Sequence, residues 1–321
     1  MSLRTGRTGL TRSLGDERDG SVGGNPTATR HGPVGTLHIV QATSTEERPA
    51  APPETSSRSW RKAFTDIVEG AQQRQLWAHL GWQDIKQRYR RSVIGPLWIT
   101  ISMGMTVTAL GILYAKLFGQ DLHTHLPYVA VGFIVWGFIS GCLTDGTEVF
   151  IQNEGLMKHL PAPLTVHILR LTWRQILLFG HNLIIYFIVL AIMRMPIGWS
   201  FFLAIPAVLL LFANGAWVAT LFGIISTRFR DIPPVVGSLM QLIFFMTPIV
   251  WNAQILEQRG GDLSLAKLNP LYHYIEIVRD PLLGSEVVWT NWAVVAGITV
   301  LGWMIALLVL RNYRARVTYW I

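Results

Sequence analysis

Cysteine is almost absent from the chain: Cys142 is the only one in 321 residues. An intrachain disulfide is therefore excluded, and so is a Cys-based metal site. Charge is scarce as well. Asp, Glu, Lys and Arg make up 14% of the residues, where an average soluble domain carries about a quarter. Catalytic motifs are missing too. No Gly-Lys pair occurs, so no glycine-rich loop ending in lysine can cradle nucleotide phosphates. H-E-x-x-H, G-x-S-x-G and G-x-G-x-x-G are absent. The closest pair of Asp residues, Asp16 and Asp19, lies in the N-terminal tail, which leaves no acidic cluster for a metal-bound sugar nucleotide. These absences argue against an enzyme. His123 and His125 read as solvated loop residues with no third metal ligand nearby. No compact apolar segment near Met1 resembles a cleavable leader.

What remains is apolar and basic. Half of the residues are hydrophobic, 13 are Trp, and the formal net charge is +8. Lys and Arg sit beside apolar runs rather than on a separable domain, which points to an anionic membrane surface rather than to nucleic acid. Residues 1–57 are rich in Gly, Thr, Arg, Ser and Pro and poor in aromatics. Such a tail buries too little apolar surface to offset backbone ordering and is expected to be disordered.

From residue 58 to 93 the pattern changes. Phe64, Ile67, Leu76, Trp77, Leu80, Trp82, Ile85 and Tyr89 recur at roughly helical spacing, and Lys86, Arg88, Arg90 and Arg91 crowd the end. This predicts an amphipathic helix in the membrane interface, its basic end on anionic headgroups. Six apolar stretches follow, at about 94–118, 127–147, 164–193, 199–226, 233–252 and 287–310. Each approaches the ~20 residues that a helix needs to cross hydrocarbon. Their continuity, without alternation, argues against strands. Cations concentrate on alternate connections: Lys158, Arg170 and Arg174, then Arg228 and Arg230, then Arg311, Arg314 and Arg316, against none over 119–126, Arg194 on the next, and Arg259, Lys267 and Arg279 over 253–286. That asymmetry places both termini in the cytoplasm, as six crossings require. The 253–286 connection carries apolar pieces too short to span, among them Ile255, Leu256, Leu263 and Leu265, and suits an outer re-entrant hairpin.

Polar groups within the runs are few. Lys116, Asp145, Glu148, Arg170 and Arg174 lie near predicted ends, whereas an ion-coupled carrier is expected to hold acids at mid-membrane. His181 and Asn182 form the deepest polar pair and suit helix–helix hydrogen bonding. Trp98 and Tyr114 on the first run, with Phe133 and Trp136 on the second, could serve as platforms for the apolar faces of sugar rings. Aromatic belts explain Trp98 equally well. The polar segment 148–163, from Glu148 to Pro163, reads as a short amphipathic helix stopped by Pro161 and Pro163. It could dock in a partner's groove or be a surface turn. At the 226–234 loop, Arg228 and Arg230 are positive-inside anchors, and Asp231 is placed to cap or pair locally.

Several of these segments carry a resemblance. Gln87-Arg88-Tyr89-Arg90-Arg91-Ser92-Val93-Ile94-Gly95-Pro96-Leu97-Trp98 resembles the approach to the first span in ABC-2 type permeases that export polysaccharides. Glu154-Gly155-Leu156-Met157-Lys158-His159-Leu160-Pro161 is similar to that family's coupling helix. Arg228-Phe229-Arg230-Asp231-Ile232 resembles its inner loop before the fifth span. Asn269-Pro270, with Tyr272 after it, and Arg279-Asp280-Pro281-Leu282-Leu283 resemble its outer re-entrant element. The match runs over about 75–321, in family order. Ile101-Ser102-Met103-Gly104-Met105 stands where many relatives carry a proline, a variant similar to exporters of O-antigen and actinobacterial galactan. The resemblance implies an all-α integral membrane protein of six transmembrane helices over 94–321, with an interface helix, a coupling helix and a re-entrant hairpin. It implies a homodimer in the bacterial plasma membrane, moving a polyprenyl-linked glycan. Two copies of a separate ATPase would hold ATP and Mg, this chain carrying no cofactor. Coupling would fall to Glu148, Asn153, Glu154, Gly155, Leu156 and Lys158. A drug- or lipid-exporting permease of the same superfamily is the alternative, ahead of a membrane glycosyltransferase.

Overall fold

The computed structural model describes residues 58–159, 162–196, 198–253, 260 and 264–321. The tail 1–57, Leu160 and Pro161 of the 148–163 segment, and Ile255, Leu256 and Leu263 of the outer connection lie outside the described residues. Every regular element among those described is helical.

Two helices precede the apolar runs, α1 (Trp60–Gln72) and α2 (Arg74–Arg88). They replace the single helix expected there. Gln73 breaks the ladder, its ψ of 38° turning the chain at a point with no Pro or Gly to mark it. On α1, Trp60, Phe64 and Val68 are exposed at i, i+4 and i+8, while Ala63, Asp66 and Gly70 are buried. An apolar outer stripe over a small-residue inner stripe fits a helix lying between bundle and lipid.

The long helices are α3 (Leu97–Phe118), α4 (Leu122–Glu148), α6 (Leu164–Met193), α7 (Ala204–Arg228, entered through a 3-10 turn at Trp199–Leu203) and α11 (Trp289–Trp320). With that turn included, these are five helices long and apolar enough to cross a membrane. Short α5 (Glu154–His159) joins α4 to α6. The fifth apolar stretch differs from expectation. Its helix, α8 (Ile232–Met246), has 15 residues, roughly 22 Å at 1.5 Å per residue, against about 30 Å of hydrocarbon. The chain then continues through bends over 247–251. Short α9 (Ser264–Leu268) and α10 (Pro270–Leu283) follow.

Central in the bundle is α4. Of its most apolar window 61% is buried, against 17% for peripheral α3. Val131, Ile134, Val135 and Phe138 pack there with Phe179 of α6, Leu211 of α7, Ile275 and Val278 of α10, and Val295 of α11. Small residues permit the closest crossing: a Cβ on Gly146 would stand 3.0 Å from Ala219 Cα on α7, the kind of approach that drives helix association where lipid supplies no hydrophobic force. α4 also begins earlier than its apolar run implies. Asp121 caps it through His123 N–H at 3.3 Å, so Pro127 lies inside the helix. The lost backbone bond is offset by burying Leu126 and Ala130 against Val107, Ile185 and Val189. His125 is accordingly not a solvated loop residue: it is 1% exposed and stacks on Tyr128.

Asn214 of α7 ties three helices. It accepts from Tyr274 of α10 at 2.7 Å and from Trp217 at 2.6 Å, and donates to Thr299 of α11 at 2.7 Å. His181 and Asn182 do less than expected. The His181 ring bonds the carbonyl of Leu177 on its own helix, and the interhelical bond runs from Thr100 Oγ1 to the His181 backbone.

Candidate functional site

Contacts gather the basic connections at one end of the bundle. Arg314 of α11 meets Asp66 of α1 at 3.2 Å. The Asp66 carboxylate in turn accepts from Leu164 N–H, Thr165 N–H and Thr165 Oγ1, so it caps α6 from another helix. The 148–159 segment lies at this end. After Glu148 the chain turns, Val149 and Phe150 being buried against Leu164, Ile168 and Ile224. Asn153 Nδ2 closes the turn on the Val149 carbonyl at 2.7 Å, while its Oδ1 accepts from Arg170 Nη1 at 2.8 Å. Only then does α5 begin, with no buried residue. Glu154 and Lys158 pair across one turn at 2.6 Å. The lysine, by hydrogen bond and then by charge, holds the Glu154 carboxyl below the usual range. Gly155 has open space around the position of a Cβ, and Leu156 is half-buried. The segment is anchored at its root, and α5 itself is held by Met157 packing on the same core and by Lys158 donating to the Ile321 carbonyl at 3.3 Å.

Behind that root runs a relay of charge. Arg170 donates from Nε to Asp84 of α2 at 2.9 Å and also from Nη2. Arg174 lies 3.6 Å from the same carboxylate and 2.8 Å from Asp145 of α4. Gln175 donates to Asp145 at 2.7 Å. Asp84, Asp145, Arg170 and Arg174 line a polar cavity of about 310 Å³ together with His167, whose two ring nitrogens have no hydrogen-bond partner among the described residues. Arg170 and Arg174 were visible in the sequence as cations near a helix end. Asp145 was visible with them, an acid inside an apolar run and so a signal of pairing, but the pairing itself and Asp84 were not singled out.

The inner loop sits at the same end. Arg228 lies over the Trp320 ring, 5.5 Å from its centroid, and Arg230 donates to the Trp320 carbonyl at 3.5 Å. Asp231 occupies the N-cap position of α8, but its side chain makes no capping bond.

At the other end is α10. Asn269 caps it through Leu271 N–H at 3.0 Å and donates to Thr247 at 2.7 Å, with Pro270 as first helical residue. Gly284 closes it at φ 70°, a backbone conformation that a side chain resists. Arg279 is buried at 1% exposure. It donates to Glu276 at 2.6 Å and to the Pro248 carbonyl at 2.9 Å, and stacks 3.7 Å over the Tyr128 ring. Gly132 makes room for this arginine, since a Cβ there would run into Nη2. Burial, then the neighbouring Glu276 carboxylate and its hydrogen bond, push the Asp280 carboxyl up to about 8. Tyr272 meets His273 edge to face. Tyr128 donates to the Pro248 carbonyl at 3.1 Å, and Tyr186 of α6 donates to the Leu282 carbonyl at 2.6 Å. Arg230 thus touches the Trp320 end of α11, while Pro248 meets Arg279 and Tyr128.

Of the aromatic candidates, Phe133 and Trp136 come together, each 5.6 Å from the ring of Phe244 on α8. Tyr114 packs on Phe118 of its own helix, and Trp98 stands apart at 49% exposure. Phe244, which completes the cluster, was missed; only its aromatic character within an apolar run was available as a signal.

Comparison with known proteins agrees with this arrangement. The family model described as ABC-2 type transporter matches residues 75–283, from the start of α2 to the last residue of α10. An O-antigen export system permease protein RfbA from Myxococcus xanthus is 22% identical over 209 residues, covering 64% of this chain and 79% of the relative. Two relatives from Klebsiella pneumoniae with the same description are 22% and 23% identical, covering 62% and 55% of this chain and 76% and 69% of their own lengths. An all-helical bundle with five apolar spans, matched over most of its helices by one family model, belongs to the ABC-2 type transporter family of membrane permeases, and it is related to O-antigen export permeases.

Proposed function

We propose that the chain is the membrane-spanning subunit of an exporter that moves a polyprenyl-linked polysaccharide, of O-antigen or cell-wall galactan type, across the bacterial plasma membrane. The energy comes from a separate ATPase holding ATP and Mg, with two copies serving a homodimer of this chain. α5 transmits the stroke. The observation that carries the reading is its construction: a short helix without a buried residue beyond a root fixed by Phe150, Asn153 and Arg170. A segment built to be gripped and to pass on motion needs a free face and a rigid attachment. α8 and its bent extension supply the sixth crossing, which sets both termini on the cytoplasmic side. The Phe133–Trp136–Phe244 cluster is the sugar platform, with Trp98 and Tyr114 at the approaches. α10 closes the outer side. The relatives' role in O-antigen export supports the substrate class.

The test is Glu154→Arg in cells producing the partner ATPase. Lipid-linked glycan should accumulate inside, while the chain still inserts and the ATPase still hydrolyses. Undiminished export by that variant would remove α5 from the coupling role. Depletion of the chain without any intracellular glycan build-up would favour a drug or lipid cargo instead.

A further inference from the structure

A groove of about 740 Å³ opens between the cation-bearing ends of α7 and α11. Arg228, Phe229, Tyr313, Arg316, Tyr319 and Trp320 line it. Neither Arg228 nor Arg316 forms an ion pair with a carboxylate among the described residues; each guanidinium instead rests near an aromatic ring, Arg228 at Trp320 and Arg316 at Tyr313, 5.5 and 5.7 Å from the centroids. Two uncompensated guanidiniums facing one groove, their stems ordered on rings, form a receptor for an anion, above all for a phosphate taken bidentately.

The groove is also ordered along its length. Ile225 and Val309 line it as well and precede Arg228 and Arg316 toward the end of the bundle. Val309 to Arg316 is roughly 10 Å along α11, and Ile225 to Arg228 roughly 4.5 Å along α7, at 1.5 Å per residue. Those intervals bracket the 5–7 Å or so by which the headgroup region extends beyond hydrocarbon on each side. The level is marked independently by α1, whose Trp60 lies under Arg311 at 4.8 Å and whose outer face is apolar. Apolar wall toward the membrane, phosphate-binding groups at headgroup depth and exposed rings at the mouth, Phe229 at 59% and Tyr319 at 88%, repeat the order of a phospholipid from acyl chain to headgroup.

We propose that the α7–α11 groove binds an anionic phospholipid, its phosphate held between Arg228 and Arg316 and its acyl chain laid along Ile225 and Val309. Zwitterionic lipids bring a cation of their own and fit less well. The site adjoins α5, whose Lys158 donates at 3.3 Å to the carbonyl of Ile321 next to Trp320, but it does not depend on the cargo.

Native mass spectrometry of the purified full chain tests this, with phosphatidylglycerol, phosphatidylcholine of the same acyl chains, and soluble glycerol phosphate as probes. Phosphatidylglycerol should be retained roughly thirtyfold more strongly than phosphatidylcholine, from about 1 kcal/mol for each of the two cations near an anionic headgroup at 1.4 kcal/mol per tenfold. The double variant Arg228→Gln/Arg316→Gln should lose that preference, and Lys116→Gln, on an exposed α3 residue outside the groove, should keep it. Should the double variant fail to insert, Arg316→Gln alone carries the test, with a smaller loss. Equal retention of the two lipids by the unaltered chain overturns the proposal, as does a preference that survives in the variants. Glycerol phosphate competing as well as the lipid would make this a free-anion site and overturn it. So would variants that lose ATPase co-purification while keeping the lipid preference.

Discussion

Asp84→Asn tests whether α2 is held to the bundle by charge. In the native chain the carboxylate receives two hydrogen bonds from Arg170 and lies 3.6 Å from Arg174. The three side chains are 14%, 19% and 19% exposed, so water reaches them but poorly. An Asn in the same place keeps one acceptor and turns its amide N–H₂ toward a guanidinium N–H, donor against donor. A hydrogen bond to a charged group contributes ~1.5–3 kcal/mol in soluble proteins, whereas polar pairs inside membrane bundles average only ~0.6. Partial exposure sets this case between the two. Loss of about 1.5–2 kcal/mol corresponds to a 10–30-fold rise in the open population of α2, at 1.4 kcal/mol per tenfold. What stays behind is modest: Trp77 meets Trp173 edge to face at 5.9 Å, and Gly81 packs against the Arg170 carbonyl. Hydrogen exchange on the full chain in nanodiscs reads this directly. Amides of Arg74–Arg88 should exchange 10–30-fold faster, with a smaller rise over 149–153, because Arg170 also holds Asn153. Less than a twofold change in α2 would refute the relay as its anchor. An equal change in α10 would show general destabilisation instead.

Asn214→Ala removes the acceptor of Tyr274 and Trp217 and the donor to Thr299; a loss of about 2 kcal/mol is expected, visible in unfolding by denaturing detergent, with Tyr274→Phe costing about 0.6. Gly132→Ala places a methyl against Arg279 Nη2 and 3.0 Å from the Ile249 carbonyl, so about 1–3 kcal/mol should be lost and α10 should become protease-sensitive. Gly137→Ala, whose nearest neighbour is Met103 at 3.7 Å, serves as the tolerant control. The Asp280 carboxyl titrates near 8 in the folded chain against 3.8 for an ordinary Asp. A raised carboxyl stabilises the fold in its protonated form, fully below the ordinary value, and that contribution drains away as pH rises through 8. Thermal stability should therefore fall from pH 5 to pH 8.5, and Asp280→Asn should flatten the slope; an unchanged slope in the variant would assign the dependence elsewhere.

The helices were legible where local chemistry marks them. Asn269-Pro270 announces the start of α10 and Gly284 its stop, because an Asx cap, a fixed φ and a left-handed residue are one-residue properties. The apolar runs were legible for the same reason, hydrocarbon acting on every residue alike. What escaped was set by partners distant in the chain. Pro127 looked like a boundary, yet the burial of Leu126 and Ala130 carries the helix back to Leu122. Asp84 and Arg170 are 86 positions apart, and neither signals the other. Asp66 reads as an ordinary acid on an amphipathic helix until α6 is brought to it. The aromatic site was partly visible, with Phe133 and Trp136 found and Phe244 not, since membership in a cluster depends on how helices face one another.

Polar side-chain ties are spread unevenly through the bundle, and this bears on what can move. α10 is bolted down: Tyr186 and Asn214 bond it from other helices, Thr247 accepts from its cap residue Asn269, and Arg279 is wedged between Glu276, Pro248 and the Tyr128 ring. α3 and α8 are the opposite. Leu97, Met105, Leu113 and Leu117 on α3, and Val235, Leu239, Leu242 and Phe245 on α8, stand exposed. The described side-chain hydrogen bonds of α3 that reach another element reduce to the one from Thr100, and α8 meets the core through Val236, Met240 and its aromatic contacts. Packing of apolar faces slides at low cost because no donor is stranded by it, whereas breaking the α10 ties would strand several at once. Under the proposed function, a displacement imposed at the α5 end would therefore be relieved first at α3 and α8. The Phe133–Trp136–Phe244 cluster straddles that seam, so its spacing would follow α8 while α10 stays with α4.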